Sequence, residues 1–352
     1  MARITNLFKD RVYVFSSLRE VYPSETELIK NIFNKEGLEE PREITFLSAN
    51  LNDDLFCVEN NEGKLCVKIS LDKESSNLEK EFLILKDNWR RKISAFPVCY
   101  GITNDFSPVE YSVVGHIPAP NLFDFGIQPI IESEDAIPYF FANLSRHSTN
   151  SINKSIFDHL EYYLSFDILK VPEVDPDWVK NHQSIKNIIK DQVLFLQKTI
   201  REKLGKFSFS ENDFCHGNLN CSNILAFGEH LHAINYENSY KGDWVFELLC
   251  LKYELFYSNT VEKEILNKTE SLLKTNFNNH KISEISDLIC YYNLLKLMIE
   301  YLTEVYILKC ARQHKILQCG IKLSKNYDHF YQLPDFDKKL KPIAEFFVES
   351  VI

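Results

Sequence analysis

The chain has little of what marks several large classes of protein. Its nine cysteines include no Cys-x-x-Cys pair, and most stand inside apolar runs, such as Cys66 in KLCVKI and Cys250 in ELLCLKY. That argues against a disulfide framework or a zinc site and for buried free thiols in a reducing cytoplasm. Basic residues are also short: 40 Lys and Arg stand against 50 Asp and Glu, a net charge of −10. A protein that coats nucleic acid would show the opposite balance. The opening residues, MARITNLFKDR, lack the apolar stretch of a signal peptide. The most lipid-like run, YYNLLKLMIEYLTEVYILK at 291–309, is broken by Lys296, Glu300 and Glu304, which stack on one face of a helix. A bilayer span would not carry that stripe, whereas a helix docked on a core would, so no membrane anchor is expected. There is no internal repeat and no low-complexity linker.

What is present is an ordered succession of periods. With 352 residues, 45% of them apolar and 26% charged, the chain suits one large domain or two lobes. SETELIKNIFNKEG (24–37) has the pattern of a helix, with Ser24 and Glu27 as a capping box, an inward face of Leu28, Ile29, Ile32 and Phe33, and a stop at Gly37. From residue 43 the period becomes that of strands, with a turn at Asn60–Gly63. SSNLEKEFLILKDNWRR is helical again, with Leu78, Phe82 and Leu85 on one side, and FPVCYGI and YSVVGHIP are two further strands. After about residue 135 helical spacing dominates, with 165–182 expected as a loop and one strand-like interruption at 214–236. The pattern predicts an α+β fold: a helical extension over 1–40, a β-rich lobe over 41–117, and a large helical lobe over 118–352 that carries the loop at 214–237.

That interruption holds the chemistry. FCHGNLNCSNILAFGEHLHAINYEN (214–238) contains a loop followed by a hairpin. Ile224–Phe227 is one strand, Gly228-Glu229 the turn and Leu231–Ile234 the return, which brings Asn235 back beside Asn218 and Asn223. One asparagine is unremarkable in this Asn-rich sequence, but three converging amides form a set. His230 and His232 alternate on a strand without a third ligand at suitable spacing, and are expected to be exposed strand residues rather than a metal site.

The stretch resembles the aminoglycoside phosphotransferase and choline kinase family of the protein-kinase-like fold. That family's loop reads His-Gly-Asp-x-x-x-x-Asn-Ile/Val-Leu, then Ile-Asp-Trp/Phe-Glu after a hairpin, then Gly-Asp. Here HGNLNCSNIL, INYE (234–237) and GD (242–243) match at the same spacings. The resemblance covers about residues 40 to 260 and implies a bilobal fold and ATP- and Mg2+-dependent transfer to a hydroxyl of a small molecule. It implies that Lys68 grips phosphate, that Glu81 holds Lys68, and that Val114 and His116 lie at the hinge where backbone groups meet adenine. It places Asn218 at the catalytic base, with His216 orienting the loop, and Asn223, Asn235 and Glu237 around the metal.

Two departures weigh on the mechanism. Asparagine replaces aspartate at 218 and at 235, and SANLND (48–53) lacks the glycines of a phosphate-covering loop. Loss of a general base costs on the order of 10²–10⁴ in rate, and magnesium favours carboxylate oxygen over a neutral amide. A catalytically impaired, pseudokinase-like protein that binds a small molecule or a protein partner is therefore expected. The alternatives are an active phosphotransferase using Glu237 or Asp213 at a non-standard metal site, or an inactivated variant of one.

Overall fold

The computed structural model describes residues 20–49, 53–70, 77–103, 108–119, 136–167, 176–207, 212–220, 223–227, 230–255 and 279–306, with a few isolated positions besides. The chain divides into two compact units, 1–153 with 216–240, and 154–215 with 241–352.

In the first unit, helix α1 (Pro23–Glu36) precedes strands β1 (Glu43–Ala49), β2 (Asp53–Glu59) and β3 (Lys64–Ser70). Helix α2 (Leu78–Asn88), β4 (Pro97–Ile102) and β5 (Glu110–Gly115) follow, and the five strands form one antiparallel sheet in the order β1-β2-β3-β5-β4. Helix α1 begins at Pro23, whose missing N–H is harmless at a first helical position. The expected cap at Ser24 and Glu27 is thus displaced: Glu25 accepts a hydrogen bond from the Tyr22 amide at 2.8 Å. Gly37, at φ 68°, ends the helix as expected.

Because strand side chains alternate between faces, Val67 and Ile69 point one way and Cys66, Lys68 and Ser70 the other. The first face packs with Phe56, Val58, Tyr111 and Val113 against Ile29, Ile32 and Phe33 of α1, so the N-terminal helix is part of this unit's core. Helix α2 lies on the Lys68 face, where its own Glu81 is buried among Leu78, Ile84 and Leu85. The β2–β3 turn is held by Asn60, whose Oδ1 accepts from the amides of Glu62 and Gly63 at 3.0 Å each. That turn sets the register in which Leu55 opposes Lys68 and Asp53 opposes Ser70. Helix α3 (Ala136–Leu144) and the hairpin of β7 (Ile224–Phe227) and β8 (His230–Ala233) complete the unit. The returning strand runs one residue earlier than the sequence pattern suggests, and the expected turn at 228–229 lies outside the described residues.

The second unit is mainly helical: α4 (Ile156–Leu164), α5 (Pro176–Leu204), α6 (Trp244–Leu255) and α7 (Asn279–Tyr306), with the short strand β6 (Asp213–Cys215); strand β9 (Tyr240–Gly242) falls at the division between the units. One expectation fails here. The stretch 165–182 is not all loop, because α5 starts at Pro176, a proline serving as a helix initiator rather than a breaker. Lys296 is buried, as are all residues from Tyr291 to Lys296, which suits a helix docked on a core. Among the described residues no helix is long and apolar enough to cross a membrane.

Candidate functional site

The functional residues of the first unit fall into two groups of opposite character. One is ionic. Lys68, at the middle of β3, is 7% exposed and its ammonium meets three carboxylates. Glu81 Oε2 lies at 3.0 Å, Glu237 Oε2 at 2.9 Å and Asp53 Oδ2 at 3.6 Å. Burial by itself would drive this lysine toward losing its proton, but Glu81, Glu237 and Asp53 outweigh it and hold the pKa above the ordinary lysine value. Asp53 shows the reverse: burial raises its carboxyl pKa against the pull of Lys68, and Glu237 and Glu81 add to the rise. One ammonium against three carboxylates leaves this group net acidic.

Glu81 serves two masters. Its Oε2 binds Lys68, and its Oε1 accepts the backbone N–H of Tyr236 at 3.0 Å. Lys80, one position earlier on α2, donates to the carbonyls of Glu237 and Ser239 at 3.0 and 2.6 Å. Helix α2 therefore clamps segment 236–239 from its side chains alone.

The other group is neutral and built from amides. His216, fully buried, stands with Nε2 2.9 Å from the Ile234 carbonyl, while its Nδ1 accepts the Asn218 amide N–H at 3.3 Å. Those partners match the tautomer that carries a proton on Nε2. Gly217 follows at φ +79°, and a Cβ there would meet the Asn238 carbonyl at 2.1 Å, so only glycine fits this turn. Asn220 Nδ2 donates to Asn218 Oδ1 at 3.0 Å. Asn223 Nδ2 donates to the Asn218 carbonyl at 2.8 Å, and Asn235 Nδ2 donates to Asn223 Oδ1 at 2.8 Å. Asn235 itself is left-handed at φ 64°, a conformation that asparagine tolerates better than most residues. The three asparagines singled out from the sequence are thus brought together, and a fourth, Asn220, joins them.

No protein-family model matches this chain, and no curated protein matches it in sequence. Solved structures do match in shape. Spectinomycin phosphotransferase APH(9)-Ia, solved with ADP and spectinomycin, aligns over 93% of this chain and 98% of its own at 13% identity, with a TM-score of 0.61. The ethanolamine kinase of Plasmodium vivax aligns over 96% of both chains at 13% identity and a TM-score of 0.54. Choline kinase LicA of Streptococcus pneumoniae aligns over 92% of this chain and 98% of its own at 17% identity and a TM-score of 0.51. The chain has the kinase-like fold of the aminoglycoside phosphotransferases and choline kinases. Within that α+β fold the ionic group joins the sheet and α2 to Glu237 just after the hairpin, and the amide group lies on the loop and at the hairpin's end.

The remaining expected residues are placed as follows. Val114 lies in β5 opposite Cys66. The backbone N–H groups of Gly115 and His116 donate to Phe96 O at 2.7 Å and Lys64 O at 3.1 Å, so both hinge donors are engaged within the sheet. Burial, then the Lys64 charge, lowers the His116 pKa. Asp213 and Asp243 belong to the second unit, where Asp213 Oδ2 accepts from Trp244 N at 3.4 Å and Asp243 Oδ1 from Val245 N at 3.1 Å. Both cap the start of α6, an ordinary use of aspartate. His230 is exposed, but His232 is half-buried with its pKa lowered to about 4 by burial and by His230. Among the described residues no group of three His, Cys, Asp or Glu is arranged to hold a metal ion. Of the loop SANLND, residues 50–52 lie outside the described residues.

Sequence reasoning missed Asp53, Lys80 and Asn220. Asp53 was legible in principle: once the turn at Asn60–Gly63 fixes the register, Asp53 must face the same side as Lys68. Lys80 and Asn220 carry no such signal, because their partners are backbone carbonyls and a neighbouring amide.

Proposed function

We propose that the protein is a pseudokinase-like relative of the small-molecule phosphotransferases, which holds a nucleotide-type ligand in its first unit without ordinary phosphoryl transfer. The observation that carries this reading is the amide at each position where transfer chemistry needs a carboxylate. Asn218 stands at the place of the base and Asn235 at that of the main metal ligand, and neither can be ionised. Phosphoryl transfer depends chiefly on positioning and on neutralising charge. We read Lys68 and Glu81, 3.0 Å apart, as the lysine and glutamate pair of a kinase-type fold, which supports retained binding over retained turnover.

The magnesium ion that the fold family implies does not suit the residues present. A hard cation takes carboxylate and carbonyl oxygens, but Asn235 turns an N–H toward Asn223, and Glu237 is bonded to Lys68. A phosphate approaching Lys68 must compete with Glu237 and Asp53. A small molecule with a free hydroxyl is the class of second ligand to screen.

The test is a thermal-shift titration with adenosine, ADP and ATP, each with and without magnesium, beside an assay of phosphate release. A ligand at about 100 times its Kd adds roughly 2.7 kcal/mol, enough to move the melting temperature. The expected result is a shift from at least one adenine ligand without phosphate release. Magnesium-dependent release from ATP would instead favour an active transferase in which Glu237 leaves Lys68 to bind metal.

A further inference from the structure

The bond between Asn235 and Asn223 has a direction that the surrounding backbone dictates. Asn223 gives its amide N–H to the Asn218 carbonyl at 2.8 Å. A backbone carbonyl can only accept, so Asn223 must turn its own Oδ1 the other way, toward Asn235. Facing an acceptor, Asn235 must present its NH2, and it does so at 2.8 Å. The orientation of both amides therefore follows from one fixed carbonyl and from the donor and acceptor inventory of the side chains. The loop around them is knit further by Asn223 N donating to the Asn220 carbonyl at 3.0 Å and by Ile234 N donating to the Asn223 carbonyl at 3.0 Å.

An aspartate at 235 would behave differently. It would set a carboxylate oxygen at hydrogen-bond distance from Asn223 Oδ1, two acceptors with no proton between them. That contact is repulsive unless a cation stands between the oxygens. We infer that the Asn235 amide occupies the structural role of a divalent cation, joining hairpin to loop by an N–H donor so that the site closes without metal. Asparagine at 235 is on this account a working part of the loop and more than the loss of a ligand. The inference deepens the proposed function, yet it stands on the amide geometry and survives even where no nucleotide is bound.

Asn218 makes the internal control. Its Oδ1 accepts from Asn220 Nδ2 at 3.0 Å, and a carboxylate at 218 would accept the same bond. Asn218→Asp is therefore expected to be tolerated where Asn235→Asp is not, although both are the same chemical change in one loop.

The experiment compares the wild-type chain, Asn235→Asp and Asn218→Asp by thermal melting in EDTA and in manganese chloride at about 10 mM. The expected result is that Asn235→Asp melts about 3 °C or more below wild type in EDTA and recovers in manganese, while wild type and Asn218→Asp melt alike and ignore the metal. Asn235→Asp matching wild type in EDTA, or remaining low in manganese, would overturn the inference. A second measurement needs no folded variant at 235: titration of wild type with Mn2+ followed by electron paramagnetic resonance. Loss of the free-ion signal that disappears in Asn223→Ala would show that the amides take metal as they stand and would also overturn it. Signal loss unchanged by that substitution belongs to surface carboxylates and agrees with the inference. Phosphate release by wild type bears on the proposed function alone, so the two can fail separately.

Discussion

The ionic group around Lys68 and the amide group around Asn223 are adjacent parts of one compact unit held by different physics. Around Lys68, three carboxylates surround one buried ammonium, and each member is costly to leave alone because its charge has been taken from water. Around Asn223 the groups are neutral, the bonds are single and directional, and each is worth little net until it is broken on one side only. On the proposed reading the ionic group is the part that would meet phosphate, and the amide group is a catalytic-type loop without its charge, so that binding and turnover would be separated within one fold.

The comparison can be broken at its charged side most easily. Lys68→Met leaves Glu81, Glu237 and Asp53 without their cation, and loss of one partner of a buried ion pair typically costs about 3–5 kcal/mol. Denaturant melts should show the largest loss of any substitution considered for this site. Glu81→Gln keeps one acceptor but removes the negative charge that faces Lys68, and forces that one oxygen to choose between Lys68 and the Tyr236 amide. A loss of about 1–3 kcal/mol is expected, with increased hydrogen exchange at 236–239 as the local sign. Asn218→Asp should change stability by less than about 0.5 kcal/mol, since its bond from Asn220 persists.

Asp53 gives the smallest effect and one of opposite sign. Its folded pKa is raised by burial, so the folded state holds this proton more tightly than the unfolded chain does. Stability from the neutral carboxyl is complete below the unfolded pKa, and it is lost as pH rises through the folded pKa. Asp53→Asn should therefore melt slightly above wild type at neutral pH, with the advantage shrinking as pH falls through the usual carboxylate range. A variant that is less stable than wild type at pH 7 would mean that the attraction to Lys68 outweighs burial.

The fold was legible in the sequence because its elements announce themselves by period and punctuation. Gly37 ends α1 and Asn60–Gly63 turns β2 into β3, both as the residues require. The amide cluster was legible for a different reason: a hairpin between two short motifs forces Asn235 back upon Asn218 and Asn223. What stayed hidden depended on contacts across the chain. The spacing of Lys296 with Glu300 and Glu304 puts the three on one helix face but does not say which residues a neighbour covers, and Lys296 is buried. Pro176 reads as loop from the sequence because proline breaks helices in their interior, although it also begins them, as it does in α5. The saturation of Lys68 by three carboxylates, rather than by Glu81 alone, needed both the strand register and the position of Glu237.

The most direct test of the central claim is magnesium-dependent release of phosphate from ATP, measured side by side for wild type and the double variant Asn218→Asp/Asn235→Asp. The account predicts a wild-type rate at the background of the assay and a rate for the double variant above it. A wild-type rate equal to or greater than that of the double variant would contradict it, and the asparagines would then have to be read as parts of a working transferase.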